Sequence, residues 1–183
     1  MRETLAAALI LAAGPALATS LEIDVAGEAS GTVVIDLLED VAPAHVEQIT
    51  ALAEAGAYDG VVFHRVIPGF MAQTGDVQHG RVGGNMALAG TGSSDRPNLV
   101  AEFSDISFDT GVVGMARSAD PNSANAQFFI MFEPAPHLDG QYTVVGRVTE
   151  GMDVVNAIKK GSAARNGAIE GAPDVMEDVR VVE

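Results

Sequence analysis

The residues best suited to do chemistry lie in one run, FHRVIPGFMAQTGD, from Phe63 to Asp76. It sets an arginine (Arg65) and a neutral amide (Gln73) among Phe63, Phe70 and Met71, with no acid beside the arginine in the segment. Pro68-Gly69 is a turn signal, so the run reads as strand, tight turn, strand. Alternation predicts Phe63 and Arg65 on one face of the first strand. On the second strand it puts Phe70, Ala72 and Thr74 on one face, and Met71, Gln73 and Gly75 on the other. Such a guanidinium is a cationic hydrogen-bond donor without a local counter-charge, next to apolar surface. Taken alone, the pattern fits a β-hairpin with a stray surface arginine equally well. Other chemistries have less support. The four histidines show no metal-ligand spacing, so no metal site is expected. There is no cysteine, which excludes disulfides, thiol catalysis and cysteine-based zinc sites.

The elements that must position these residues can be read in order. Leu21 to Val25 and Thr32 to Leu37 alternate around a Gly-containing break and predict a hairpin. Pro43 suits the first turn of a helix; Val46, Ile49, Leu52 and Ala53 follow at helical spacing, and Gly56 can end it. His45 falls off that apolar stripe and is expected to be solvated. Gly80 to Pro97 is glycine-rich, but no Gly-Lys-Ser/Thr follows, so it reads as a groove wall and not as a phosphate loop. Short strands are expected around Thr110–Ala116, Gln127–Phe132, Tyr142–Val148 and Asp178–Val182. In the second of these Gln127 and Phe129 share a face, with Phe128, Ile130 and Phe132 on the other. Met152, Val155 and Ile158 mark a second helix. His64 reads as a packing or surface histidine and not as a catalyst, and Met131 as core. The sum is eight strands and two helices: a mainly β fold, expected to be a closed antiparallel barrel capped by the helices.

The chain of 183 residues is of one-domain length. A formal charge of −15 argues against nucleic acid or an anionic membrane surface as partner. Leu5 to Leu17 is an apolar run of signal-peptide length closed by Ala16-Leu17-Ala18. Residues 1–18 are therefore expected to be a signal peptide cleaved after Ala18, and retention as an uncleaved anchor is the alternative. Residues 19–183 would then form one exported, soluble, monomeric domain, periplasmic if the source is Gram-negative.

Three ordered motifs resemble the cyclophilin family of peptidyl-prolyl cis–trans isomerases: FHRVIPGFMAQTGD, GMARSADPNSANAQFFIMF (Gly114 to Phe132) and LDGQYTVVGRVTEGMDVV (Leu138 to Val155). The resemblance runs from about Leu21 to the C-terminus. It implies an eight-stranded barrel whose external groove holds an X-Pro segment of a flexible or unfolded polypeptide, with no cofactor. By position, Arg65 corresponds to the catalytic arginine. Phe70, Met71, Phe129 and Leu138 correspond to the proline-pocket walls, and Gln73 to a substrate-orienting amide. Ala116 and Arg117 match the stretch along the peptide backbone, and Gln127 the pocket's polar neighbour. The chain departs from the family twice. His137 stands where many eukaryotic members carry tryptophan, and Tyr142 where many carry a pocket histidine.

The implied reaction breaks no bond between heavy atoms. A donor aimed at the proline nitrogen and a poorly hydrated pocket would both favour the twisted form. Two other classes compete: a barrel that binds proline-containing segments without catalysis, as a chaperone or interaction module, and a carbohydrate- or ligand-binding barrel. The second has little support in a chain with no tryptophan and two tyrosines.

Overall fold

A computed structural model describes residues 19–183; the expected signal peptide lies outside the described residues. Strands β1 (Ser20–Ala26) and β2 (Gly31–Leu37) form the expected hairpin, with Leu21 opposite Ile35 and Ile23 opposite Val33. Helix α1 (Pro43–Glu54) follows, then β3 (Val61–Val62), β4 (Arg65–Ile67), β5 (Met71–Thr74), β6 (Val112–Met115) and β7 (Phe128–Met131). Strand β8 (Val144–Glu150), helix α2 (Met152–Ala157) and strand β9 (Val175–Val182) complete the order.

Among the described residues the strands form one antiparallel sheet of nine, in the order β3-β9-β1-β2-β8-β6-β7-β5-β4. The sheet curls into a half-barrel with an open order, which corrects the closed eight-stranded barrel expected from the sequence. The difference lies at Phe63-His64. The strand expected from Phe63 begins only at Arg65, and a short strand not expected from the sequence lies ahead of it with a different partner: β3 pairs with β9 (Val61 opposite Met176), and β4 with β5 (Arg65 opposite Gln73). At the break the Phe63 N–H donates to Asp174 O (2.9 Å), outside either ladder. The interruption also resets the alternation, so Phe63 and Arg65 do not share a face. Phe63 is buried in the main core with Val66, while Arg65 lies half-buried toward Met71 and Gln73.

Two apolar clusters hold the sheet. The larger gathers Leu21, Ile23, Ile35, Ile49, Phe63, Ala72, Phe128 and Ile130 on one face; the smaller gathers Met71, Phe108, Phe129, Met131 and Leu138 on the other. Residues 128–132 divide as the alternation predicted, and Met131 is fully buried. Phe70 does not follow its predicted face. It is the last residue of the turn, its N–H donating to Ile67 O (3.1 Å), and it packs against the Met71 cluster, not with Ala72. Gly69 has φ +67°, which allows the turn to be this tight.

Helix α1 starts at Pro43 without a local side-chain cap. Glu102 caps it from a distant loop, accepting from the N–H of Ala44 (3.3 Å) and of His45 (3.1 Å). The same carboxylate accepts from His45 Nδ1 at 2.6 Å. His45 is therefore fully buried, against the sequence expectation of a solvated residue: its partner lies 57 positions away and cannot be seen in the helical pattern. Burial raises the Glu102 pKa, but the His45 ring and the two helix amides outweigh it, and the carboxyl sits below its ordinary value. Glu102→Ala removes the cap and leaves the buried imidazole unpaired. It should destabilise the fold by about 1–3 kcal/mol, read from the midpoint of urea unfolding. An unchanged midpoint would mean that water replaces the carboxylate without loss.

Candidate active site

Strand register builds the site. Arg65 on β4 lies opposite Gln73 on β5, Gln73 opposite Phe129 on β7, and Phe129 opposite Gly114 on β6. One rank across four strands thus presents a cation, an amide and an aromatic ring side by side on the same face. Gly114 is required there. A Cβ at that position would lie 2.6 Å from atoms of both Phe108 and Phe129, whose rings stack at 5.8 Å.

A pocket of about 160 Å³ opens over this rank, lined by Arg65, Phe70, Met71, Gln73, Ala116, Arg117, Phe129, Leu138 and Tyr142. All nine were singled out from the sequence. Leu138 is delivered by a 3-10 turn, Pro136–Leu138, whose position is set where the Ala135 N–H donates to Phe108 O (2.7 Å). Tyr142 meets Phe129 edge-on at 5.8 Å, and the Arg117 guanidinium lies 4.3 Å from the Tyr142 ring centre. The tyrosine thus supplies an apolar wall and a seat for Arg117. His137 is exposed and does not line the pocket; it stacks on Phe70 at 5.8 Å and backs that wall.

Gln127 lies in an adjoining pocket of about 220 Å³, with Gly90, Thr91, Gly92, Ser118 and Asn125. The two pockets share Gln73, Ala116 and Arg117, so they are halves of one groove. A directed chain of hydrogen bonds crosses it. Arg65 Nη1 donates to Gln73 Oε1 (3.0 Å), Gln73 Nε2 to Gln127 Oε1 (3.0 Å), and Gln127 Nε2 to Gly92 O (2.9 Å). The chain ends on the glycine-rich loop, held by Asp76. That buried carboxylate accepts from the N–H groups of Gln78 (3.1 Å), His79 (2.8 Å), Gly90 (2.7 Å) and Gly92 (3.0 Å). Burial raises the Asp76 pKa and the four amides lower it more, leaving it below the usual range.

Arg65 is half-buried, and burial pulls its pKa below the ordinary arginine value; the Tyr142 hydroxyl acts the other way. A guanidinium nonetheless stays charged at any working pH. Neither pocket is lined by a carboxylate. Neighbouring His64 is buried with both ring nitrogens unpaired, and burial pushes its pKa down, so it is a neutral packing residue. Among the described residues no three His, Asp or Glu side chains cluster to hold a metal ion, and no helix is long and apolar enough to cross a membrane.

Two contributors were missed in the sequence. Asp76 ends the quoted run, yet its four amide partners come from a loop that shows no regular pattern. Asn166 is the other: its backbone O accepts from Arg65 Nε (3.1 Å) and its Oδ1 from Arg65 Nη2 (2.9 Å). The only local signal was Asn166-Gly167, a pair prone to left-handed turns.

The family model described as "Cyclophilin type peptidyl-prolyl cis-trans isomerase/CLD" matches residues 21–182. A Brucella suis protein named "Probable peptidyl-prolyl cis-trans isomerase" is 58% identical over 149 residues, covering 80% of this chain and 76% of that protein. The crystal structure of the cyclophilin AquaCyp293 from Hirschia baltica is similar at a TM-score of 0.69 and 26% identity, over 87% of this chain and 72% of that one. A Cryptosporidium parvum cyclophilin-type isomerase shares the fold at a TM-score of 0.74 and 21% identity, over 91% and 99% of the two chains. Motifs, groove and relatives agree: the chain belongs to the cyclophilin-type peptidyl-prolyl cis-trans isomerases and is an enzyme of that class.

Proposed function

We propose that the pocket walled by Phe70, Met71, Phe129 and Leu138 takes the proline ring of an X-Pro segment, and that Arg65 donates to the proline nitrogen as the bond twists. Amide resonance sets a barrier of roughly 18–20 kcal/mol, and uncatalysed X-Pro isomerisation takes about tens to hundreds of seconds. In the twisted state the nitrogen regains its lone pair and the carbonyl becomes less polar. A charged donor at that nitrogen favours the twisted state, and an apolar pocket withholds the water that favours the planar one. Only such differential contacts raise the rate, because binding both states equally does not. Gln73, fixed by Gln127, would orient the flanking carbonyl, while Ala116 and Arg117 line the peptide's path. The reading rests chiefly on one observation: Arg65 stands beside the apolar walls Phe70, Met71, Phe129 and Leu138 in a pocket that no carboxylate lines.

The substrates we propose are flexible proline-containing segments of exported proteins, met by a monomer in the periplasm. The apolar stretch ahead of residue 19 is the basis for that setting. Cell fractionation, with sequencing of the mature N-terminus, tests it; a cytoplasmic protein that keeps residues 1–18 would refute it. Relaxation of an X-Pro peptide from cis to trans, with and without the protein, tests the activity. Binding without acceleration would favour a proline-binding module.

His137 also predicts weak binding of the cyclic peptide inhibitor cyclosporin, since an imidazole stacked behind Phe70 lacks the indole's surface and donor. Titration against a tryptophan-bearing member should show clearly weaker affinity here, and equal affinity would discard the idea.

A further inference from the structure

We infer that Asn166 is a positioning residue for Arg65, holding the guanidinium with two neutral acceptors so that it is oriented while its charge stays available. The inference rests on the proposed role of Arg65.

Arginine has a long side chain with about 2 kcal/mol of rotamer entropy, and a catalytic donor works best when it is already placed. Gln73 holds the guanidinium only at Nη1. Asn166 holds the opposite side, at Nε through its backbone oxygen and at Nη2 through Oδ1. Asn166 aims both oxygens at one fork from a sharply turned backbone. Asn166 has φ 53°, and among the described residues it is the sole non-glycine with positive φ. That conformation costs most residues roughly 1–2 kcal/mol, while asparagine tolerates it better.

The surrounding loop keeps the acceptors in place. The Val66 N–H donates to Gly167 O (2.8 Å) and the Gly161 N–H to Val66 O (2.9 Å), which ties both ends of the loop to β4. A Cβ on Gly167 would lie 2.6 Å from Ile67 Cγ1, so the loop lies directly against the strand that carries Arg65. The chemical type of the holder matters too. A carboxylate here would grip the guanidinium as an ion pair and weaken it as a donor toward the proline nitrogen; an amide does not. The nearby acid, Glu170, is paired with Arg165 instead.

The test is kcat and KM for an X-Pro peptide with the full chain carrying Asn166→Gly, alone and combined with Arg65→Ala. Glycine keeps the left-handed backbone and its carbonyl but removes Oδ1. We expect kcat to fall roughly three- to tenfold, with KM changed less than about twofold and thermal stability close to the parent. In the Arg65→Ala background the same substitution should do nothing further, since the group it positions is gone. Asn166→Asp is the second variant. It keeps an acceptor and the backbone preference but adds a charge, so kcat should again fall with KM little changed. Parental kcat in either variant overturns the inference, as does an equal loss in the presence and absence of Arg65. If Arg65→Ala itself loses nothing, the proposed mechanism fails instead.

Discussion

Arg65→Ala should lower kcat/KM for an X-Pro peptide at least tenfold while the protein stays folded. A hydrogen bond from a charged donor contributes about 1.5–3 kcal/mol, or roughly one to two decades of rate. That range is also the most the side chain can be asked to supply, and any larger acceleration by the parent must come from the apolar pocket. The fold should survive because the half-buried Arg65 is not part of the main core. Its acceptors on Gln73 and Asn166 can turn to water, and Gln73 keeps its bond to Gln127. Arg65→Lys keeps the charge but not the planar fork that reaches Gln73 and Asn166 together, so it should recover only part of the loss. Peptide relaxation beside a far-UV spectrum and a melting curve reads all of this. A folded Arg65→Ala protein with the parent's rate would remove Arg65 from the mechanism.

The largest effect on stability is expected at Asp76. Four backbone N–H groups converge on its buried carboxylate, and Asp76→Ala leaves all four without that acceptor. A loss of at least about 3 kcal/mol follows, since each such bond contributes about 1.5–3 kcal/mol and they are not additive. Because Gly92 O anchors Gln127, the polar half of the groove should loosen as well, and KM should rise. Asp76→Asn keeps one oxygen but turns an NH₂ toward other donors, and should lose less. The pH dependence has a definite sign. The carboxyls of Asp76 and Glu102 are held below their ordinary range in the folded protein. Their contribution is complete above the unfolded values of about 3.9–4.3. It disappears as pH falls through the lower folded values, where the folded state resists protonation that the unfolded chain accepts. Urea midpoints measured from neutral pH down to about 3 should fall in that window and fall less steeply in Asp76→Asn. Parallel curves would show that other groups control acid unfolding.

Part of the site's frame was legible because local rules govern it, and its residues were legible through the resemblance of the three motifs. Pro68-Gly69 forces the turn, and the alternation through β7 separates Phe129 from Phe128 and Ile130, as it was expected to do. Where an element ends or a chain breaks, local rules lose their hold. Phe63 and Arg65 part company because two residues between β3 and β4 leave the ladder, and Phe70 escapes its predicted face because it belongs to the turn. His45 looked solvated from the helix alone. Its burial depends on Glu102, which also provides the cap that the local sequence lacks.

By itself, then, the sequence determined most of the strand-forming segments and the two helices, since residue type and spacing of two or 3.6 act over a few positions, while the family and the side chains that line the groove were legible through the resemblance of three motifs to the cyclophilins. Tertiary structure alone decided the open order of nine strands, the rank that brings Arg65, Gln73 and Phe129 together, and the grip of Asn166 on Arg65 across 101 residues. Those depend on which edges pair and where a loop comes to rest. Both are settled by long-range packing and hydrogen-bond satisfaction, which no local window of residues contains.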